Sequence, residues 1–382
     1  MDTEIIVVDQ TIREGMQYRG LMFSAEERKK ILAFQERLGI HVSQAAYPPA
    51  HHSEVEHASM LHRLARREGY GIRIAGLCRA KPEDVGRMLD HGFTDYHLHS
   101  GVNPSMIKRF GLDGIFTDLS ETVSLIRAKV PEAFTILAFA DVGSTDPDLL
   151  DRCVEFSVEK LCTDGITLPD TSGRLAPNVY YGMVRRIAER IQGRSTRIAV
   201  HCHNDFGMAS ANSVMGVVAG ASIVEVAALG IGERNGIGDV YVVSRMLKEQ
   251  GIPVRVKTDE VDLFRSYYAY INDICVRQTG FGPLHYNTPA FGDAIMTHVA
   301  GTHGIIHYST ADEKKYFLNV LCGRHLVEDY LKSIGIAYDR HNLDRIVKRI
   351  KDRSAVLNRS LDRREVCVIV EEIGREDQPD SV

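Results

Sequence analysis

The stretch Ile5-Ile6-Val7-Val8-Asp9-Gln10-Thr11-Ile12-Arg13-Glu14-Gly15 passes from a β-branched aliphatic run to an adjacent cation and anion. A short apolar run closed by polar residues and glycine reads as a strand buried on both faces. Charges placed where such a strand gives way to a loop serve a site or an ion pair.

Working outward, runs of the same kind recur at intervals of roughly thirty residues. They are Ile40–Ala45, Ile72–Leu77, Thr94–Leu98, Phe134–Phe139, Gly165–Leu168, Ile198–His201 and Ile223–Ala227. Helical patterns lie between them. Ser24 caps a stretch with Glu26 and Glu27 in its first turn and Ile31, Leu32, Gln35 and Leu38 at helical spacing. Asp146-Pro147 and Ala176-Pro177 each open a further helix with proline at its first position. Eight strand–helix units in succession predict an α/β fold, a (β/α)8 TIM barrel, in which sites gather at the C-terminal ends of the strands.

That rule puts Arg13-Glu14 on the same rim as His201-Cys202-His203-Asn204-Asp205, which ends the seventh strand. Side chains alternate along a strand, so His201 and His203 share one face and Cys202 takes the other. Two imidazoles and the Glu14 carboxylate form a ligand set for one divalent metal, Mg, Mn, Zn or Co, with Arg13 beside it. His97 and His99 form a second such pair after the fourth strand, read as a substrate contact near Ser100.

Composition narrows the partners. The chain has 382 residues, 44% of them hydrophobic, and a formal charge of -5. It can build one large domain and a smaller one, and it lacks the basic footprint of a nucleic-acid binder. Seven cysteines without C-x-x-C spacing fit reduced thiols. With no leader pattern and no long apolar run, the expected location is the cytoplasm, and the expected partners are small molecules rather than nucleic acid or membrane. The expected division is a barrel over 1–255 and a mainly helical appendage over 256–382, without a regulatory domain. Helices are expected over Val256–Tyr270, Glu313–Ser333 and Leu343–Val356, with a polar tail from Arg375.

These motifs carry a resemblance. The segment D-Q-T-I-R-E-G-M-Q, residues 9–17, together with H-C-H-N-D, 201–205, resembles the DRE-TIM metallolyase superfamily, in its branch of homocitrate, isopropylmalate and citramalate synthases. Length and Arg-Glu-Gly favour the homocitrate synthase type. The resemblance implies that Arg13 is catalytic, that Glu14, His201 and His203 bind metal, and that Gln17 lies near substrate. Leu168-Pro169-Asp170-Thr171 resembles the segment whose threonine meets the 2-oxo acid carboxylate, which nominates Thr171. Gly76-Leu77-Cys78-Arg79-Ala80 resembles a third-strand motif, and Arg79 is expected to meet a substrate carboxylate through a bidentate fork. Asn287, Pro289, Gly292, His298, Gly301 and His303 reproduce the family's pattern beyond the barrel and nominate His298 or His303 as the catalytic base.

Two positions depart from the pattern. In Gly230-Ile231-Gly232-Glu233-Arg234-Asn235-Gly236-Ile237 the family's last position is a metal-site asparagine; here it is Ile237, so Asn235 or water is expected to complete the shell. After the fifth strand relatives show Glu-Asp where this chain has Ala140-Asp141, leaving Asp141 to inherit the polar role. The Tyr47–His52 loop, which the resemblance implies sorts substrate side chains, is also unusual.

The resemblance implies a metal-dependent condensation of acetyl-CoA with a 2-oxo acid, followed by thioester hydrolysis to a homocitrate-like 2-hydroxy acid, in a homodimer whose appendage lies near the partner barrel. A carbon–carbon lyase of the superfamily is expected to carry a cysteine in the eighth-strand loop, which is absent here. An aldolase lacks the C-terminal histidine motif. A catalytically idle binding barrel would have no need of Arg13, Glu14, His201 and His203 together.

Overall fold

The computed structural model describes residues 4–377 except 90, 103 and 297–314. Eight parallel strands, β1 (Ile6–Asp9), β2 (Val42–Ala46), β3 (Arg73–Arg79), β4 (Asp95–Gly101), β5 (Phe134–Ala140), β6 (Gly165–Asp170), β7 (Arg197–Cys202) and β8 (Ile223–Val226), close in chain order into a barrel. The ring shuts where Ile6 to Asp9 pair in register with Ile223 to Val226. Each strand occurs where the apolar runs predict it.

Strand parity organises the interior. Val8, Val42, Ala75, Ile136, Ala199 and Ile223 pack into one apolar layer within the barrel. Two residues further along β1, β2, β7 and β8, the same face carries Gln10, Gln44, His201 and Glu225. The barrel is therefore greasy at one level and polar at the next, directly beneath the rim.

Local signals set the helices. Ser24 and Glu27 form a reciprocal capping box at the start of Ala25–Arg37, and Asp146 caps Pro147–Glu155. His51 caps His52–Glu68, which stops at Gly69 in a left-handed conformation.

The chain divides into two compact units, Met1–Pro283 and Leu284–Val382. The expected boundary of 255/256 falls earlier, because it follows the last strand–helix unit and leaves helix Val261–Thr279 outside. That helix belongs to the first unit. It buries Phe264, Tyr267, Tyr268, Ile271 and Ile274. The Tyr267 hydroxyl donates to Asp9 Oδ2 at 2.9 Å and the Tyr268 hydroxyl to Asp239 Oδ2 at 2.7 Å, so its aromatic face is bonded to carboxylates of the barrel.

Within the second unit, helices Arg324–Ser333, Leu343–Leu357 and Arg363–Glu376 surround a core that includes Val327, Leu331, Ile346, Ile350, Val366 and Ile369. The helix expected from Glu313 begins instead at Arg324, after Gly323. The last helix follows the three expected ones and runs into the polar tail expected from Arg375; its capping box, Asp362 with Glu365, is the signal that marks its start. All seven cysteines are free. No helix among the described residues is long and apolar enough to cross a membrane.

Candidate active site

Arg13 and Glu14 follow β1 at the entry to a short 3-10 turn, Glu14–Gln17. Arg13 is held from three directions: Nε donates to Gln44 Oε1 at 2.6 Å, Nη2 to Gln10 Oε1 at 3.1 Å, and Nη1 pairs with Glu14. Glu14 is 2% exposed, and its carboxylate accepts from the Glu233 amide at 2.9 Å and the Gln17 side chain at 2.8 Å. Burial alone would raise its pKa; the Arg13 guanidinium, the imidazoles of His201 and His203 and the Glu233 amide overcome burial and hold it at about 2. Glu14 is thus ionised at any physiological pH.

The histidines converge as their parity requires. His201 Nε2 and His203 Nε2 face each other at 3.2 Å, and both rings are buried. His201 Nδ1 lies 3.1 Å from Glu225 Oε2, within ion-pair range but off the line of a hydrogen bond. Burial, and then the neighbouring His201, lower the His203 pKa to about 3, so its ring is neutral. Two imidazoles whose Nε2 atoms meet beside an ionised carboxylate make a donor set that fits a divalent cation.

Beneath this cluster lies a network the sequence reading did not foresee. Gln10 Nε2 donates to Glu225 Oε2 at 2.7 Å, and Thr167 Oγ1 donates to Glu225 Oε1 at 3.1 Å. Gln44 spans Arg13 and His97, its Nε2 lying 2.7 Å from His97 Nδ1. Burial lowers the His97 pKa to about 4, so the ring accepts this bond and is neutral. A charged residue inside the apolar β8 run, Glu225, was the available signal.

Asn235 turns its amide to the Asp205 carbonyl at 3.3 Å. Ile237 is buried, with its backbone bridged to that of His203. Glu233, which the sequence reading passed over, instead brings a carboxylate oxygen into a group with donor atoms of Glu14 and His203 that all lie within 4.8 Å of one another.

Arg79 is already bonded within the protein. Its Nε and Nη2 donate to both oxygens of Asp84, at 2.6 and 2.8 Å, so the fork expected to await substrate is engaged within the protein. Asp84 follows Lys81-Pro82-Glu83 at the start of a short helix, close enough in sequence for the arginine to fold back onto it.

A cavity of about 570 Å³ opens beside the cluster, lined by Arg13, Gln17 and His99 together with Met16, Met22, Tyr47, Ala50, His51 and Leu77. The Tyr47–His52 loop singled out in the sequence therefore forms one of its walls. Burial, then Arg13 and Arg79, lower the His99 pKa to about 4. Ser100 follows on β4, paired with Phe139 of β5. Across the rim, the Asp141 amide donates to Thr171 Oγ1 at 2.9 Å and the Asp141 carboxylate accepts from the Ser172 amide at 3.3 Å, which ties the ends of β5 and β6 together. His298 and His303 lie outside the described residues.

Fold and rim thus define a TIM barrel with a concentrated cluster of carboxylate, imidazole and guanidinium groups at the C-terminal ends of its strands. Residues 4–266 match the HMGL-like family, and the chain belongs to it. Relatives extend the match past the barrel. The chain is 28% identical to the 2-isopropylmalate synthase of Sulfurisphaera tokodaii, over 91% of this chain and 90% of that one. It is 26% identical to that of Sulfolobus acidocaldarius, over 93% and 92% respectively. These similarities place it on the isopropylmalate and homocitrate synthase-like branch of the DRE-TIM superfamily. Among solved structures, an HMG-CoA lyase from Brucella melitensis has a TM-score of 0.60 at 16% identity, covering 71% of this chain and 99% of that one. An HMG-CoA lyase from Pseudomonas aeruginosa has 0.58 at 15% identity, covering 73% and 95%. At these identities the structural likeness speaks for the fold alone.

Proposed function

We propose that the protein condenses acetyl-CoA with a 2-oxo acid and releases coenzyme A, consuming one water to give a 2-hydroxy acid that carries a new carboxymethyl group. The observation that carries this reading is the convergence of Arg13, Glu14, His201 and His203 on one rim, in a chain that matches 2-isopropylmalate synthases over nine-tenths of its length. A divalent ion held by Glu14, His201 and His203 would supply Lewis-acid polarisation of the substrate ketone. The remaining steps fall to the chain itself.

Arg13 engages three of its five N–H groups within the protein and lines the cavity, where it would stabilise the negative charge that develops on the former ketone oxygen during addition. Gln10, Gln44 and Glu14 fix its plane, so it need not reorganise as that charge grows. Gln17 and His99 line the same cavity as substrate contacts, with Ser100 next to His99 on β4, while Thr171, whose hydroxyl oxygen accepts from the Asp141 amide, is assigned to the 2-oxo acid carboxylate and Asp141 keeps a catalytic polar role beside it. A base must take a proton from the acetyl methyl group before carbon–carbon bond formation; we assign it to His298 or His303. A homocitrate-type product is the narrower form of this proposal. It requires Arg79 to exchange Asp84 for the substrate's second carboxylate.

The test is thiol release from acetyl-CoA across a panel of 2-oxo acids with Mg2+ or Mn2+. Release that needs both a 2-oxo acid and the metal supports the reading. Silence across the panel together with cleavage of hydroxymethylglutaryl-CoA would replace it with a lyase.

A further inference from the structure

We infer that Glu233 is a metal ligand in this protein, giving the site a second carboxylate where Ile237 offers none. The inference rests on the metal-holding role proposed above for Glu14, His201 and His203. Three observations carry it. Donor atoms of Glu14, His203 and Glu233 lie within 4.8 Å of one another, a spread that one ion can gather with small side-chain rotations. The Glu233 amide donates to Glu14 Oε1 at 2.9 Å, and a methyl group on Gly232 would come within 3.0 Å of that same oxygen, so the loop backbone is pressed onto the first carboxylate. His203 is only 4% exposed, and its Nε2 faces that of His201 at 3.2 Å, so two buried ring nitrogens turn to one point beside the Glu14 carboxylate, where a cation would take both as ligands.

The loop holds Glu233 in place. Leu229, Gly230, Arg234 and Gly236 all have positive φ, at 55°, 61°, 57° and 85°. Such a sequence persists only where the surroundings dictate it. They do so here: the Gly236 amide bonds to the Glu233 carbonyl at 2.9 Å, the Ile237 amide to the Gly230 carbonyl at 3.0 Å, and the Asn204 amide to the Gly236 carbonyl at 2.9 Å. Arg234 clamps both oxygens of Asp205 at 2.7 and 2.9 Å, while its Nη1 lies 3.1 Å from Glu233 Oε1. Glu233 is thus presented on a rigid loop with a cation behind it and two candidate ligands ahead. Isoleucine at 237 has no donor atom and packs inward. A second carboxylate offsets the full charge of a divalent ion, and an oxygen-rich set with two imidazoles suits Mn2+.

The experiment is a Mn2+ titration of the full chain, followed by calorimetry and by the electron paramagnetic resonance of free Mn2+. Variants are Glu233→Gln, Glu233→Ala, Glu14→Ala and the double substitution Glu233→Ala with Ile237→Asn. Glu233→Gln and Glu233→Ala are expected to raise Kd by about tenfold or more, the scale of ligand-environment losses, and the double variant to recover part of that loss. Wild-type Kd in Glu233→Ala, with binding lost in Glu14→Ala, would overturn the inference and leave the proposed site standing. Wild-type Kd in both would remove the site itself.

Discussion

Arg13 is gripped by Gln44, Gln10 and Glu14, which separates its role from that of the carboxylate beside it. Arg13→Ala is expected to keep metal content intact while lowering kcat by roughly 10²-fold, the scale for one oxyanion donor; steady-state kinetics with elemental analysis of the same sample checks both halves. Glu14→Ala and His203→Ala are expected to lose bound metal and turnover together. At this scale the sequence said much. Period-two spacing put His201 and His203 on one face, and the rim rule brought Glu14 to them. It said less about Gln10, Gln44 and Glu225, because residues that hold other residues have no spacing of their own. Asp84 engaging Arg79, and the Glu233 carboxylate lying with donor atoms of Glu14 and His203, are facts of loop conformation that residue type alone does not encode.

At the scale of elements, the loop after β8 depends on Gly236. At φ 85°, alanine there is strained by about 1–2 kcal/mol, and its methyl would also overlap the Gly230 carbonyl oxygen. Gly236→Ala is therefore expected to lower both Tm and Mn2+ affinity, read by melting and titration of one preparation. In helix His52–Glu68, His62 meets the Phe93 ring edge-on at 5.2 Å, and burial, aided by Arg66, lowers its pKa from 6.5 to about 4. Between those values the unfolded chain binds the proton that the folded chain refuses, so this group's contribution to stability falls as pH drops from 6.5 to about 4. His62→Phe removes that loss. Its Tm relative to wild type is expected to rise through the same window, in scans at closely spaced pH; a constant difference would show that His62 does not titrate as described. Strand and helix positions in the barrel were readable because periodicity and caps are local. The start of the Arg324 helix and the existence of the Arg363–Glu376 helix were less so, since each is fixed by packing in the second unit's core.

For the whole molecule, the extent of the first unit is set by helix Val261–Thr279. A fragment ending at residue 283 is expected to fold and bind Mn2+, whereas one ending at 255 exposes the barrel surface that Phe264, Tyr267 and Ile271 cover and is expected to melt far lower or not fold; circular dichroism on both fragments distinguishes them. The sequence pointed to the barrel and missed this boundary, because the helix follows the eighth repeat and its attachment runs through Tyr267 and Tyr268 to carboxylates of β1 and the β8 loop. If the base comes from the second unit, the 283-residue fragment binds metal without turnover. The central claim, that this barrel joins an acetyl unit to a 2-oxo acid, is tested most directly by supplying 13C2-acetyl-CoA, a panel of 2-oxo acids and Mn2+, then weighing the products. The account predicts a metal-dependent product whose mass is that of one 2-oxo acid plus labelled acetic acid, formed in step with free coenzyme A. Coenzyme A released with only labelled acetate, or no label transferred to any 2-oxo acid, would contradict it.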